Sequence, residues 1–168
     1  KTCALFEACA FLCGAVSNQN VNAVSINQYI QDIYKDIGYF FQIRDDYCNI
    51  CDERYWNSKG FLEDIDEGKY GYPLLLYFDD KSKDNFEDKE WIRGIMANRD
   101  NGMVDTTTKM EIYCKLYDSG ILHDTYNECM KRKNEIINKL ESKNLESPIL
   151  NKIFSKLNIN PPIDTSLV

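Results

Sequence analysis

Apolar residues recur with the 3.6-residue period of a helix along most of the chain, and no stretch alternates with the two-residue period of a strand. From Lys1 to Val16, Leu5, Cys9, Leu12, Cys13 and Val16 keep one face, with Ala4, Ala8 and Ala15 small enough for close helix contacts. Ser17 to Asn20 is a polar break, after which Ser25 or Asn27 is placed to cap a second helix running to about Cys51. Ile30, Ile33, Tyr34, Ile37 and Phe41 form its packing stripe. Asp52 to Gly60 breaks the pattern, and a third helix is expected from near Phe61, with Glu63, Asp64, Asp66 and Glu67 in its first turns.

Gly68 to Pro73 interrupts again. Leu74 to Phe78 is then a short buried element whose length fits helix or strand; with no partner strand pattern nearby, helix is the reading. A charged loop over Asp79 to Asp88 precedes a helix over 89–98 anchored by Trp91, Ile92 and Ile95. Asn98 to Gly102 is turn-rich. Thr106 to Asp118 is helical with Met110, Cys114 and Tyr117 on one face, and Gly120 stops it. Leu122 to Leu140 is amphipathic, its polar face carrying Lys131, Arg132 and Lys133. A last helix, Ser147 to Leu157, precedes a tail stopped by Pro161 and Pro162. The fold class is all-α.

Composition changes this picture little. With 168 residues, 43% of them hydrophobic and 28% charged, the chain reads as an ordinary globular domain. The net charge of −7 argues against non-specific nucleic-acid binding and adhesion to anionic membranes, though not against an anionic ligand, since a Mg²⁺ site needs local carboxylates whatever the global sign. The seven cysteines, Cys3, Cys9, Cys13, Cys48, Cys51, Cys114 and Cys129, are odd in number. Several sit in apolar helical patterns, so they read as reduced thiols of a cytoplasmic protein. Cys48 and Cys51 form a C-x-x-C pair, but no second pair, no nearby histidine and no βαβ pattern supports zinc or redox chemistry. Residues 3–16 are too short to span a bilayer and lack a basic leader.

The chemistry concentrates in Gly38 to Asn49. On a helix Gln42, Asp45 and Asn49 fall at i, i+3 and i+7, with Asp46 bordering their face. A helix that is greasy up to Phe41 and then presents oxygen donors can form the lip of a cavity. Hard divalent cations such as Mg²⁺ take one or two carboxylates of this kind plus substrate phosphates. A solvated helix face gives the same pattern. Arg44 can pair with Asp45 or Asp46, and His123, with no constellation of ligands around it, is an ordinary helix-terminus residue.

Order decides between these readings. Lys1-Thr2 opens an apolar helix; then come Phe40-Phe-Gln-Ile-Arg-Asp-Asp-Tyr-Cys-Asn49, Ser58-Lys-Gly-Phe-Leu-Glu-Asp64, and Glu67-Gly-Lys-Tyr-Gly-Tyr-Pro-Leu74. This resembles the C-terminal half of the trans-isoprenyl diphosphate synthases, most closely the eukaryotic geranylgeranyl diphosphate synthases, over residues 1–78. The resemblance implies a helical isoprenoid-synthase bundle around a deep apolar cavity, with residues 1–157 as the C-terminal half of one synthase domain and 158–168 as a tail. It implies condensation of isopentenyl diphosphate with an allylic diphosphate, farnesyl to geranylgeranyl. Asp45 would be the direct Mg²⁺ ligand, with Asp46 and Asn49 behind it. Lys1, Thr2, Gln42, Lys59 and Lys69 would meet the diphosphate, and of these Lys1, Thr2 and Gln42 would lie nearest the reacting centre. Tyr39, Phe40 and Phe41 would line the prenyl channel or fill the core.

The family's first motif, Asp-Asp-x-x-Asp, would lie before Lys1. Asp79-Asp80, Asp64-x-Asp66 and Asp84-x-x-x-Asp88 stand in the wrong place to replace it. The resemblance therefore calls for an N-terminal half carrying that motif, in the same gene product or a separate chain, and for a homodimer of the complete enzyme. Residues 1–168 alone are expected not to fold as a stable monomer, because the first helix would expose apolar area. Two alternatives stay open: the prenyltransferase part of a bifunctional terpene synthase, and a non-catalytic partner subunit.

Overall fold

The computed structural model describes residues 4, 8, 9, 12, 22–80, 85–98, 102–145 and 148–164, with backbone alone at 22–27 and 149. Lys1, Thr2, the break at Ser17 to Asn20, and Ser147 lie outside the described residues. Among those described the helices are α1 (Asn22–Cys51), α2 (Glu53–Lys59), α3 (Glu63–Asp66), α4 (Tyr72–Asp79), α5 (Phe86–Ala97), α6 (Thr106–Asp118), α7 (Ile121–Ser142) and α8 (Pro148–Lys156), with no β-strand. The protein is all-α. Of the expected first helix, Ala4, Ala8, Cys9 and Leu12 are described; they are helical and exposed, Leu12 to 62%.

The chain divides into two compact units, one of Lys1–Arg44 and Glu128–Asn158, the other of Asp45–Asn127 and Ile159–Val168. In the first, Ile33, Ile37, Phe40 and Ile43 of α1 are buried, as are Cys129, Ile136 and Leu140 of α7 and Phe154 of α8. Phe40, sealed at 1% exposure, rather than the half-buried Phe41, continues the stripe, and its ring lies 6.2 Å from that of Phe154. Tyr39 is 48% exposed with the Arg132 guanidinium 5.2 Å from its ring centre, so it is no core residue. Tyr29 donates to the Lys139 carbonyl at 2.7 Å, and Lys139 pairs with Asp36 at 2.6 Å. Arg44 does not turn to the aspartates: it is buried and its Nε donates to the Leu157 carbonyl at 3.1 Å. α1 begins at Asn22, so Ser25 and Asn27 lie inside it and neither is its cap.

The second unit holds most of the short helices. The stretch read as a break after Cys51 is helical, because Asp52 caps α2: its carboxylate accepts the Arg54 N–H at 2.9 Å and the Arg54 side chain at 2.6 and 2.9 Å. The helix expected from Phe61 is only one turn, α3. It starts after Leu62, which is buried and left-handed at φ 48°. α4 settles Leu74 to Phe78 as helix, with Pro73 in its first turn and Leu74 and Tyr77 buried. α5 buries Ile92 and Met96 while Trp91 and Ile95 are half-buried.

α6 has the predicted bounds, capped by Asp105, but its sealed residues are Ile112, Tyr113 and Leu116. Met110 and Cys114 instead wall an apolar cleft of about 350 Å³ with Trp56, Phe61 and Tyr113. Gly120, at φ 80°, takes the left-handed turn that ends this helix and starts α7. His123 is exposed in the first turn of α7 with its ring 5.3 Å from Tyr117. Residues 159–164 form a strap without regular structure. Tyr47 donates to the Asn160 carbonyl and Tyr113 to that of Ile163, each at 2.8 Å. Among the described residues no helix is long and apolar enough to cross a membrane.

A carboxylate rim on the second unit

Asp45, Asp46 and Asn49 stand on the last two turns of α1, and the chain folds back over them through α2, α3 and the loop of residues 67–71. The two adjacent aspartates have different surroundings. Asp45 accepts the Tyr55 phenolic hydrogen at 2.7 Å. Its Oδ1 lies 3.9 Å from Lys59 Nζ, with both side chains about half exposed (49% and 51%), an ion pair loose enough to open for a ligand. Lys59 also sits 4.8 Å from the Tyr55 ring centre. Tyr55 thus presents its hydroxyl to the carboxylate and its ring to the lysine.

Asp46 points elsewhere. Its Oδ2 accepts the backbone N–H of Tyr72 at 2.7 Å, at the start of α4. Asn49 is buried, and its Oδ1 accepts the Asp64 N–H at 3.3 Å, tying α1 to α3. Asp64 in turn accepts from Lys69 at 3.5 Å, and Lys69 also contacts Glu67. Burial pushes the Asp64 carboxyl above the usual carboxylate range; Lys69 opposes the shift, and the charges of Asp45 and Glu67 add to it. A carboxylate held up by burial and by a second carboxylate is relieved by a cation placed between them.

The donors gathered here are oxygens, the set a hard divalent cation takes and a thiophilic metal does not. Among the described residues no group of three or more histidine, cysteine or acidic side chains is clustered to hold a metal. A hard divalent cation here would be held by one or two carboxylates, with its remaining positions filled from outside. The cysteine pair takes no part. Cys48 and Cys51 are buried and in no disulfide, and burial pushes the Cys51 thiol well up, which suppresses thiolate chemistry.

Of the residues singled out in the sequence, Asp45 and Lys59 come together, and Asn49 and Lys69 meet through Asp64. Asp46 is turned to α4. Gln42 is half-buried on α1 in the first unit, and Lys1 and Thr2 lie outside the described residues. Two rim residues escaped the sequence reading. Asp64 stands in the Lys-x-x-x-Glu-Asp segment but reads there as a helix-start acid. Tyr55 lies in the stretch taken for a break and carried no signal.

The polyprenyl synthetase family profile matches residues 1–110. Geranylgeranyl pyrophosphate synthase 3 of Zymoseptoria tritici is 29% identical over 161 residues, 94% of this chain and 42% of that protein. Quiannulatene synthase of Emericella variicolor is 32% identical over 138 residues, 82% of this chain and 17% of that protein. A bifunctional sesterterpene synthase of Talaromyces wortmannii is 41% identical over 75 residues, 45% of this chain and 10% of that protein. The chain spans less than half the length of these curated relatives. With two thirds of its residues inside the family profile, and with the motifs in family order from Lys1 to Leu74, this chain belongs to the polyprenyl synthetase family.

Proposed function

We propose that this chain supplies the second aspartate motif of a prenyltransferase that condenses isopentenyl diphosphate with an allylic diphosphate, farnesyl to geranylgeranyl diphosphate. The observation that carries the reading is the half-exposed Asp45 carboxylate beside Lys59, with its charge felt by the neighbouring Asp64. In such a reaction the allylic carbon–oxygen bond breaks, leaving a delocalised cation and pyrophosphate, and the site must favour the charge that develops. Mg²⁺, when bound, supplies neutralisation of the departing diphosphate. Asp45 would hold it, and Asp46 and Asn49 would stand behind it as hydrogen-bond acceptors to α4 and α3. Lys59 and Lys69 would take diphosphate oxygens as point charges. Lys1 and Thr2 would sit at the same group, and Gln42 beside the forming cation.

Residues 1–157 are on this reading the C-terminal half of one synthase domain and 158–168 its tail, the other half carrying the first aspartate motif. A homodimer in the cytoplasm goes with it, and Cys9, Cys48, Cys51, Cys114 and Cys129, none of them in a disulfide, suit a reducing compartment. The test is prenyl transfer from the allylic diphosphate to isopentenyl diphosphate by the native protein and by its Asp45→Ala variant. Loss of a residue acting on transition-state charge costs about 100-fold or more; an unchanged rate removes Asp45 from the site. The likeness to quiannulatene synthase and to a bifunctional sesterterpene synthase favours a second reading, the prenyltransferase part of a bifunctional terpene synthase. A cyclised hydrocarbon among the products, rather than a linear prenyl diphosphate alone, selects it.

A further inference from the structure

The aspartate pair looks like one unit in the sequence, yet its two carboxylates do different work in the fold. α4 begins at Tyr72, and its N-cap Gly71 has no side chain to cap the free N–H groups of the first turn. Asp46, from α1, fills that role: its Oδ2 accepts the Tyr72 N–H at 2.7 Å. A carboxylate at this end of α4 also meets the positive pole of the helix. The approach is close. A Cβ on Gly71 would stand 3.3 Å from Asp46 Cβ and 3.4 Å from its Cγ, so glycine is what lets the backbone come this near.

The loop between α3 and α4 carries Lys69. Its upstream end is tied by the backbone, with Lys69 N–H donating to the Asp64 carbonyl at 2.8 Å and Gly68 N–H to that of Ile65 at 3.0 Å. Its downstream end is tied by Asp46.

We propose that Asp46 is a positioning residue, a latch that caps α4 through the Tyr72 N–H and thereby fixes the Lys69 loop, and that its negative charge is not what the site requires of it. The effect on catalysis rests on the function proposed above; the latch itself does not. An acceptor oxygen is sufficient for a latch, so Asp46→Asn retains it and Asp46→Ala does not. Gly71→Ala pushes on the same contact from the other side.

In the native protein, Asp46→Ala is expected to raise KM for the diphosphate substrate about tenfold while kcat changes by less than about threefold, the loss of one charge-assisted hydrogen bond acting through Lys69. Gly71→Ala should move KM in the same direction, and Asp46→Asn should restore it. The Mg²⁺ concentration for half-maximal rate should stay at the wild-type value in Asp46→Asn and rise in Asp45→Asn. A rise in Asp46→Asn equal to that in Asp45→Asn overturns the proposal, because a charged metal ligand would then be needed at both positions.

Hydrogen exchange at the Tyr72 amide decides the latch whether or not prenyl transfer is observed. Protection in the wild type and Asp46→Asn, with at least about tenfold faster exchange in Asp46→Ala, supports it. Equal protection in Asp46→Ala overturns it.

Discussion

Tyr55 donates its phenolic hydrogen to Asp45 at 2.7 Å, and the same tyrosine ring carries Lys59 on its face, 4.8 Å from the ring centre. One side chain from α2 thus orients both members of the loosest ion pair on the rim. Tyr55→Phe keeps the ring and removes the hydroxyl. Prenyl-transfer kcat/KM is expected to fall about tenfold, the worth of a hydrogen bond to a charged group, and the Mg²⁺ requirement to rise. Titration of the rate with Mg²⁺ checks both, and a variant with wild-type rate and Mg²⁺ response would show that Asp45 needs no orienting partner.

Lys109 ties α6 to α3 and to Phe61 just before it. It is buried, and its Nζ meets the Phe61 carbonyl at 2.8 Å and Asp66 at 2.5 Å, while Asp66 also accepts the Val104 N–H at 2.8 Å. Lys109→Met leaves a largely buried carboxylate without its cation and is expected to cost about 3 kcal/mol. Replacing both partners, Lys109→Met with Asp66→Leu, should recover part of that, as read by urea unfolding of the native protein.

Leu62 combines full burial with a left-handed backbone at φ 48°. Leu62→Ala loses the buried side chain and keeps the strain, an expected cost of about 3 kcal/mol. Leu62→Gly removes one more methyl group but releases a backbone strain of about 1–2 kcal/mol. Glycine is therefore expected to be no more damaging than alanine, contrary to the usual order. Paired denaturation curves test this, and a glycine variant clearly below alanine would count against strain at Leu62.

Asp64 predicts a dependence on pH. Its folded-state carboxyl titrates above the usual value because of burial, so the folded protein holds the proton more tightly than the unfolded chain. The penalty is absent below the unfolded value of about 4 and grows as pH rises through the folded value. Asp64→Asn removes it. The variant should melt a few degrees above wild type at neutral pH, the two should converge in acid, and the same change should impair Mg²⁺-supported activity. A melting difference that is independent of pH would assign the effect to something other than this carboxyl.

Much of the fold was legible because helical period and turn residues act locally. The bounds of α6 were read from the apolar spacing and Gly120. The helix over Leu74 to Phe78 was read from the lack of any strand to pair with. α2 was missed because Asn57, Ser58 and Gly60 look like a turn, whereas the Asp52 cap lets a short helix run through two of them. The packing face of α1 was misplaced by one residue, Phe41 for Phe40, because the period alone does not choose between neighbouring apolar positions when both are aromatic.

The order of residues alone carries the inventory: an all-α chain, and a run from Lys1 through Asp45, Lys59 and Lys69 to Leu74 that marks the polyprenyl synthetase family. Helical spacing is a property of neighbours, so it placed Gln42, Asp45 and Asn49 on one face without any knowledge of the fold. The division between Asp45 and Asp46 belonged to the tertiary structure alone. Two adjacent aspartates are equivalent in sequence. They part company only when Tyr55 comes round from α2 to orient one of them and the bare backbone of Gly71 and Tyr72 closes on the other. Hydrogen bonds across 10 and 26 residues of chain depend on how the helices pack back on one another.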